Sequence, residues 1–69
     1  DKEQEAKKLA KVISSLPLDQ QTVLKLAFFG EKAHAEVATE LNIPLGTVKS
    51  RIRLALKKIR TELERSNER

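Results

Sequence analysis

The sequence contains no cysteine and only one histidine, two glycines, two prolines and two aromatic residues. Disulfide bonds and thiolate metal sites are therefore excluded, and a single histidine with no carboxylate cluster beside it predicts no metal site. No apolar run approaches the roughly 20 residues that a bilayer span needs, and no signal-peptide pattern opens the chain. The sequence also lacks a nucleophile–base pair, a phosphate-binding loop and a cofactor motif, so an enzyme is disfavoured, and neither a cofactor nor membrane insertion is expected.

The length of 69 residues allows a single domain over residues 1–69. A chain this short buries only about 60% of the surface that its unfolded form exposes, so its core is thin and shared among a few elements. The absence of cysteine fits a reducing compartment. The chain starts at Asp1 rather than at a methionine, and we expect it to be a fragment of a longer protein.

The charge of the chain is unevenly distributed. Residues 1–40 carry six Lys or Arg and seven Asp or Glu, a net charge of −1, whereas residues 41–69 carry eight and three, a net charge of +5. Residues 45–60 contain six basic residues and no acidic one. Such a block produces a positive field that attracts polyanions, although a charge run alone is more often a solvated helix face.

Hydrophobic spacing predicts an all-α fold with four helices. We expect helices over residues 1–15, 19–29, 33–41 and 44–63, and a frayed tail over residues 64–69. Pro17 disfavours helix at the residue before it and so separates the first helix from the second. Asp19 is predicted to cap the second helix.

The remaining helix ends are predicted from single residues. Gly30 is expected to end the second helix in the left-handed conformation, which glycine enters without cost. Glu36 stands three residues after Ala33, which is half of a capping box without the Ser or Thr that would complete it. Asn42 is predicted to be left-handed between the third and fourth helices. Pro44 suits the first turn of the fourth helix, because its missing N–H would be unpaired there anyway.

The fourth helix has two unlike sides when its residues are placed at about 100° intervals. The side expected to pack on the domain is apolar and consists of Val48, Ile52, Ala55, Leu56, Ile59 and Leu63. The opposite side carries long cations, a hydroxyl and one leucine: Lys49, Ser50, Arg53, Leu54, Lys57 and Arg60. In a major groove, Arg or Lys can reach guanine O6 and N7, and Ser can reach donor or acceptor edges. Lys57, Lys58 and Arg60 lie farther along the helix and are expected to meet phosphates.

Three residues before and within this helix have the spacing of a helix-turn-helix. Ala38 supplies the small residue needed where two helices cross, Asn42 the left-handed residue four positions later, and Val48 the apolar residue that packs back on the pair. This spacing could belong to any helical hairpin, but together with the acid-free basic face it predicts a DNA-binding domain.

The two phenylalanines are expected to be the largest residues of an otherwise aliphatic core. Phe28 and Phe29 are adjacent, so they cannot share one face of a helix. We therefore expect one of them in the core and the other exposed, where it would mark a surface for a protein partner.

Residues 16–63 resemble region 4 of bacterial sigma factors, in particular those of the extracytoplasmic-function group. The motifs that carry the resemblance are Ser15-Leu16-Pro17, Ala27-Phe28-Phe29-Gly30, Glu36-Val37-Ala38 and Ile43-Pro44-Leu45-Gly46-Thr47-Val48-Lys49-Ser50-Arg51. The run from Pro44 to Arg51 is the most specific of them, because it is close to a family signature.

The resemblance implies a four-helix sigma region 4 domain, with a helix-turn-helix over residues 33–63, that reads the upstream (minus-thirty-five) promoter element in double-stranded DNA. It implies two protein partners, the β-subunit flap of the RNA polymerase core and an anti-sigma factor that covers the domain. It also implies a bacterial cytoplasmic location at the nucleoid. By position, base contacts fall to Lys49, Ser50, Arg53 and Leu54. Contacts to the DNA backbone fall to Lys32, His34, Thr47, Arg51, Lys57 and Arg60.

The chain departs from the family pattern at three positions. Ala33 stands where Ser or Thr is usual, so the third helix loses a cap worth about 1 kcal/mol. Lys32 stands where an apolar residue is common, and can approach a phosphate instead. Leu54 stands where Arg is common, which leaves at most an apolar contact with a thymine methyl group.

Two residues have alternative interpretations. His34 near the start of the third helix is either plain polar surface or a phosphate ligand at a helix N-terminus, which favours anions. Arg51 lies at the edge of the apolar side of the fourth helix, where it can pair with Glu36 or Glu40 as well as touch DNA.

Two other functions fit part of the pattern. The output domain of a response regulator is also a helix-turn-helix, but such domains usually add a further dimerisation helix, and residues 64–69 are charged and weakly apolar. A sigma-like decoy that binds an anti-sigma factor without binding DNA would have no reason to keep Lys49, Ser50, Arg51 and Arg53 together.

Overall fold

The computed structural model of the chain describes residues 2–67. Its elements are α1 (Lys2–Ser14), α2 (Leu18–Leu24), a π-helix that continues α2 directly (Lys25–Phe29), α3 (His34–Leu41) and α4 (Leu45–Asn67). Residues 2–67 contain no strand. The predicted all-α fold with four helices is therefore confirmed.

The boundary between α1 and α2 lies at Pro17, as predicted, but Asp19 is not the cap. The backbone carbonyl of Pro17 accepts hydrogen bonds from the N–H groups of Gln20 and Gln21, both at 3.0 Å. Asp19 lies inside the first turn, where its carboxylate accepts the N–H of Gln20 at 2.9 Å. Proline begins a helix without losing a hydrogen bond, so α2 starts two residues earlier than a cap at Asp19 requires.

The end of the second helical segment also differs from the prediction. Gly30 donates its N–H to the carbonyl of Lys25, five residues earlier, at 2.9 Å. This five-residue spacing is the hydrogen bond of a π-helix. The φ of Gly30, −85°, is right-handed, and the left-handed residue is Glu31, with φ of 53°. Glycine is needed at position 30 for space, because a Cβ there would lie 2.7 Å from the carbonyl oxygen of Leu26.

The start of α3 carries half of a capping box, as predicted. The Glu36 carboxylate accepts the backbone N–H of Ala33 at 2.9 Å. Ala33 occupies the cap position with extended backbone, but its methyl group cannot accept a hydrogen bond in return. The N-terminus of α3 is therefore held by a single side chain.

The turn between α3 and α4 forms as the sequence predicts. Asn42 is left-handed, with φ of 56° and ψ of 48°. Ile43 donates its N–H to the carbonyl of Ala38 at 3.0 Å, which closes α3. The carbonyl of Pro44 then accepts the N–H groups of Thr47 and Val48, at 3.0 and 3.2 Å, so α4 begins directly after the proline.

Two aliphatic clusters form the core. The first joins α2, α3 and α4 and contains Val23, Val37, Ala38, Val48 and Ile52. The second joins α1, α2 and α4 and contains Ile13, Leu16, Leu24 and Ala55. Among the described residues no polar or charged residue is buried. The clusters fix the angle at which α4 crosses the other helices and so decide which of its sides faces outward.

The expectation that a phenylalanine lies in the core is wrong. Phe28 is 54% exposed and Phe29 is 69% exposed. Both belong to the π-helix, whose wider turn shifts these residues out of the register of α-helical spacing. Leu56 was also expected to pack inward, but it is 46% exposed, because it lies at the margin of an apolar stripe centred on Val48 and Ala55.

Helix α4 continues to Asn67, farther than the predicted end at Leu63. Two ion pairs span its last turns, Arg60–Glu64 at 3.7 Å and Arg65–Glu62 at 3.3 Å. Pairs at these spacings modestly stabilise the last turns of a helix. Residues 64–67, part of the segment predicted to fray, are helical, and residues 68–69 of that segment lie outside the described part of the chain.

Candidate nucleic-acid interface

The outward side of α4 carries the predicted DNA-reading residues. We call the set Lys49, Ser50, Arg53, Leu54, Lys57 and Arg60 the recognition surface. Five of these six residues are exposed, and Ser50 is half-buried. The inward side of the same helix supplies Val48, Ile52 and Ala55 to the core, so packing holds the recognition surface toward solvent.

The first flank of the recognition surface is a cationic groove. It is lined by His34, Lys49, Ile52, Arg53, Leu56, Lys57 and Arg60. The structure thus brings His34, at the first residue of α3, beside four cations of α4. None of these lining residues is acidic, and a cleft of one charge sign concentrates an oppositely charged ligand.

The second flank faces the connection between α1 and α2. Leu54 lines a shallow depression there with Ser15, Pro17, Gln20, Lys57, Lys58, Thr61, Glu62 and Arg65. The side chain of Leu54 is an apolar group with mostly polar or charged neighbours. It belongs to neither core cluster and is 53% exposed.

Arg51 pairs with Asp19, an acid on α2 and not one of its two expected partners. Its Nε lies 3.5 Å from Oδ2 of Asp19, and both side chains are partly exposed. The expected partners are engaged elsewhere, since Glu36 accepts the N–H of Ala33 and Glu40 pairs with Lys32. The prediction of pairing with Glu36 or Glu40 is therefore wrong, and Arg51 instead connects α4 to α2.

Lys32 does not point freely at solvent. Its Nζ donates a hydrogen bond of 2.9 Å to Oε2 of Glu40. This bond and the negative charge of Glu40 raise the pKa of Lys32 above its ordinary value. Lys32 is thus firmly cationic, but a phosphate would have to share it with a carboxylate.

Thr47, predicted to contact the DNA backbone, is half-buried in the first turn of α4.

A second surface, which we call the apolar groove, lies on the other side of α4 from Leu54. Its lining residues are all apolar: Leu9, Ile13, Leu24, Phe28, Phe29, Leu56 and Ile59. The paired phenylalanines were the only signal in the sequence that pointed here. Helical spacing could not find the groove as a whole, because α1, the π-helix and α4 each contribute only a part of it.

No helix within residues 2–67 is both long enough and apolar enough to cross a bilayer. Those residues also contain no group of acidic residues and histidines that could hold a metal ion.

A small residue at a helix crossing, a left-handed turn and an outward cationic face on the second helix define the class: a helix-turn-helix DNA-binding domain. The sequence profile of the family "Sigma-70, region 4" matches residues 6–59. The chain belongs to this family. It is also similar to the ECF RNA polymerase sigma factor RpoE of Cereibacter sphaeroides, with 46% identity over 61 residues.

That alignment covers 88% of this chain and 34% of the relative, so the chain spans about a third of the relative's length. The family comprises transcription-factor domains and not enzymes. Membership favours the sigma-factor interpretation over the output domain of a response regulator.

Proposed function

We propose that this domain recognises the upstream, minus-thirty-five element of promoters as the C-terminal domain of an alternative sigma factor. The observation that carries the proposal is the acid-free cationic face of α4, which the core holds outward directly after a helix-turn-helix turn. Recognition helices read base edges with the residues of their first turns. In α4 those turns present Lys49, Ser50 and Arg53.

The roles within the interface follow from position along α4. Lys49, Ser50, Arg53 and Leu54 lie in about its first three turns and are proposed to face the bases. Lys57 and Arg60 lie beyond them and are proposed to meet phosphates.

Four further residues are proposed to contact the DNA backbone. His34 and Thr47 stand at the first turns of α3 and α4, where helix N-termini favour anions. Lys32 and Arg51 are already paired with carboxylates. We therefore expect smaller contributions to phosphate binding from Lys32 and Arg51 than from Lys57.

The apolar groove is the proposed contact with RNA polymerase, through the flap of its β subunit. An exposed, continuous apolar surface on a small domain marks a protein-binding site, and the groove exposes Phe28, Phe29 and Leu56. Leu56 also lines the cationic groove, but the other six residues of the apolar groove line neither flank of the recognition surface. Polymerase and DNA could therefore occupy the domain at the same time, as promoter recognition in the bacterial cytoplasm, at the nucleoid, requires.

Selection of duplexes from a randomised library tests DNA recognition. The wild-type chain should enrich a recurring sequence, and the double variant Lys49→Ala/Arg53→Ala should not. Lys7→Ala/Lys8→Ala is the matched control, because it removes the same charge from exposed positions of α1. This variant should enrich the same DNA sequence as the wild-type chain. If the wild-type chain enriched nothing, a decoy that binds only an anti-sigma factor would fit better.

An anti-sigma factor is proposed to cover the same surfaces. Leu54 and the Phe28–Phe29 pair are exposed apolar residues on opposite flanks of α4, and such residues anchor protein interfaces. Adding the cognate anti-sigma factor should therefore abolish binding to the selected duplex in a competition assay. A stable ternary complex, with both ligands at full affinity, would show that the two sites do not overlap.

A further inference from the structure

Leu54 is out of place in a surface otherwise built for hydrogen bonding and charge. On a helical wheel with Val48 at zero, Leu54 lies at about 240° and Ser50 at about 200°, so both occupy one flank. Leu54 is 53% exposed and is a member of neither core cluster. An apolar side chain that contributes little to the core is free to contribute to recognition.

We propose that Leu54 reads the 5-methyl group of a thymine and thereby sets one base of the preferred sequence. This inference rests on the proposed DNA-binding function. The thymine methyl is the one apolar group on the base edges of the major groove. Leucine can neither donate nor accept a hydrogen bond, so against polar base-edge atoms it displaces water without replacing it. Thymine O4 is one such atom, but only thymine also offers a methyl group, whereas guanine, adenine and cytosine offer polar atoms alone. Attraction and penalty therefore favour the same base.

The position of this thymine follows from helix geometry. Leu54 comes four residues after Ser50, which is a rise of about 6 Å along α4. Base pairs are spaced by about 3.4 Å. The thymine read by Leu54 should therefore lie within about two base steps of the base next to Ser50.

Deoxyuridine, which differs from thymidine only by the missing methyl group, tests the contact. The chain first selects its preferred duplex from a randomised library, and each thymine is then replaced in turn by uracil. At one position, uracil should weaken binding of the wild-type chain about threefold to fourfold, as expected for one buried methyl group. Fluorescence anisotropy measures the Kd of each duplex.

The variants separate Leu54 from the rest of the domain. Leu54→Ala should bind the thymine and uracil forms equally. Leu54→Arg should move the preferred base at that position to guanine, which arginine pairs with through O6 and N7. Leu18→Ala is the matched control, because Leu18 is 78% exposed at the start of α2 and lies in neither the recognition surface nor the apolar groove. Leu18→Ala should show the same difference in Kd between the thymine and uracil duplexes as the wild-type chain.

Equal affinity for thymine and uracil at every position, or a difference that survives in Leu54→Ala, overturns the methyl contact alone. Failure to select any duplex overturns the proposed function, and the methyl contact with it.

Discussion

At the scale of single residues, similar side chains on α4 are proposed to act differently because of where they stand. Arg53 and Lys57 are both exposed and line the same cationic groove. One helical turn separates them, about 6 Å of rise. That distance is enough for one side chain to remain over the base edges while the next reaches the phosphates.

Arg53→Ala should flatten the base preference at one or two positions, because its guanidinium can pair bidentately with guanine for about 1–3 kcal/mol of discrimination. Lys57→Ala should weaken binding to all sequences alike. It should also reduce the slope of log K against log salt by about one unit. Binding of both variants to a panel of single-base changes in the selected duplex measures the difference. Equal weakening across the panel by Arg53→Ala would make Arg53 a phosphate contact.

The two glycines form a second contrast at this scale. At Gly30 a Cβ would lie 2.7 Å from the Leu26 carbonyl oxygen, whereas at Gly46 it would meet no atom within 4 Å. Gly30→Ala should therefore cost about 1–3 kcal/mol of stability, as overpacking does. Gly46→Ala should stabilise the domain by up to about 1 kcal/mol, since alanine favours a helix. Thermal or urea unfolding decides, and a neutral Gly30→Ala would mean that the backbone relaxes there.

At the scale of elements, the crossing of α3 and α4 depends on the small side chain of Ala38. Ala38 is buried in the cluster that joins the two helices, with Val48 and Ile52. Ala38→Leu should overpack the crossing and cost about 1–3 kcal/mol. Ala35→Leu is the matched control, because Ala35 is exposed on the same helix, and it should have little effect. An unchanged midpoint for Ala38→Leu would contradict the crossing at this residue.

Elements that depend on neighbouring residues could be predicted from the sequence. The left-handed turn at Asn42 and the start of α4 directly after Pro44 both follow from the conformational preferences of one residue. The π-helix could not be predicted, because its bonds reach one residue farther than the α-helical pattern and so leave no periodic signal. The expectation of one phenylalanine in the core is wrong for the same reason.

In the candidate site, too, features within one helix could be predicted from the sequence, and features that join different helices could not. The exposed residues of the recognition surface follow from the spacing within one helix. The Arg51–Asp19 pair joins residues on different helices, and charge patterns within a helix gave no means of choosing Asp19 over Glu36 or Glu40. The apolar groove needs the packing of α1 against α4, which no local pattern contains.

At the scale of the whole molecule, residues 41–69 carry the net positive charge of the chain. We therefore expect DNA binding to depend on salt through this part of the chain. Residues 45–60 hold six basic residues and no acid. If about four phosphates are neutralised, log K should fall with log salt with a slope near −3.6. Titrations of the chain against duplex DNA at several salt concentrations give this slope, and a flat line would contradict an electrostatic interface.

The two-sided construction of α4 also bears on how such domains diverge. Lys49, Arg53 and Leu54 contribute nothing to the buried clusters, and surface substitutions of this kind usually change stability by less than about 0.5 kcal/mol. The positions proposed to contact bases can therefore be exchanged almost independently of the fold. Val48, Ile52 and Ala55 are buried and have no such freedom. Inserting one residue among them would rotate the recognition surface by about 100° relative to the core. New promoter preferences should therefore arise in this family through substitution at fixed helix length.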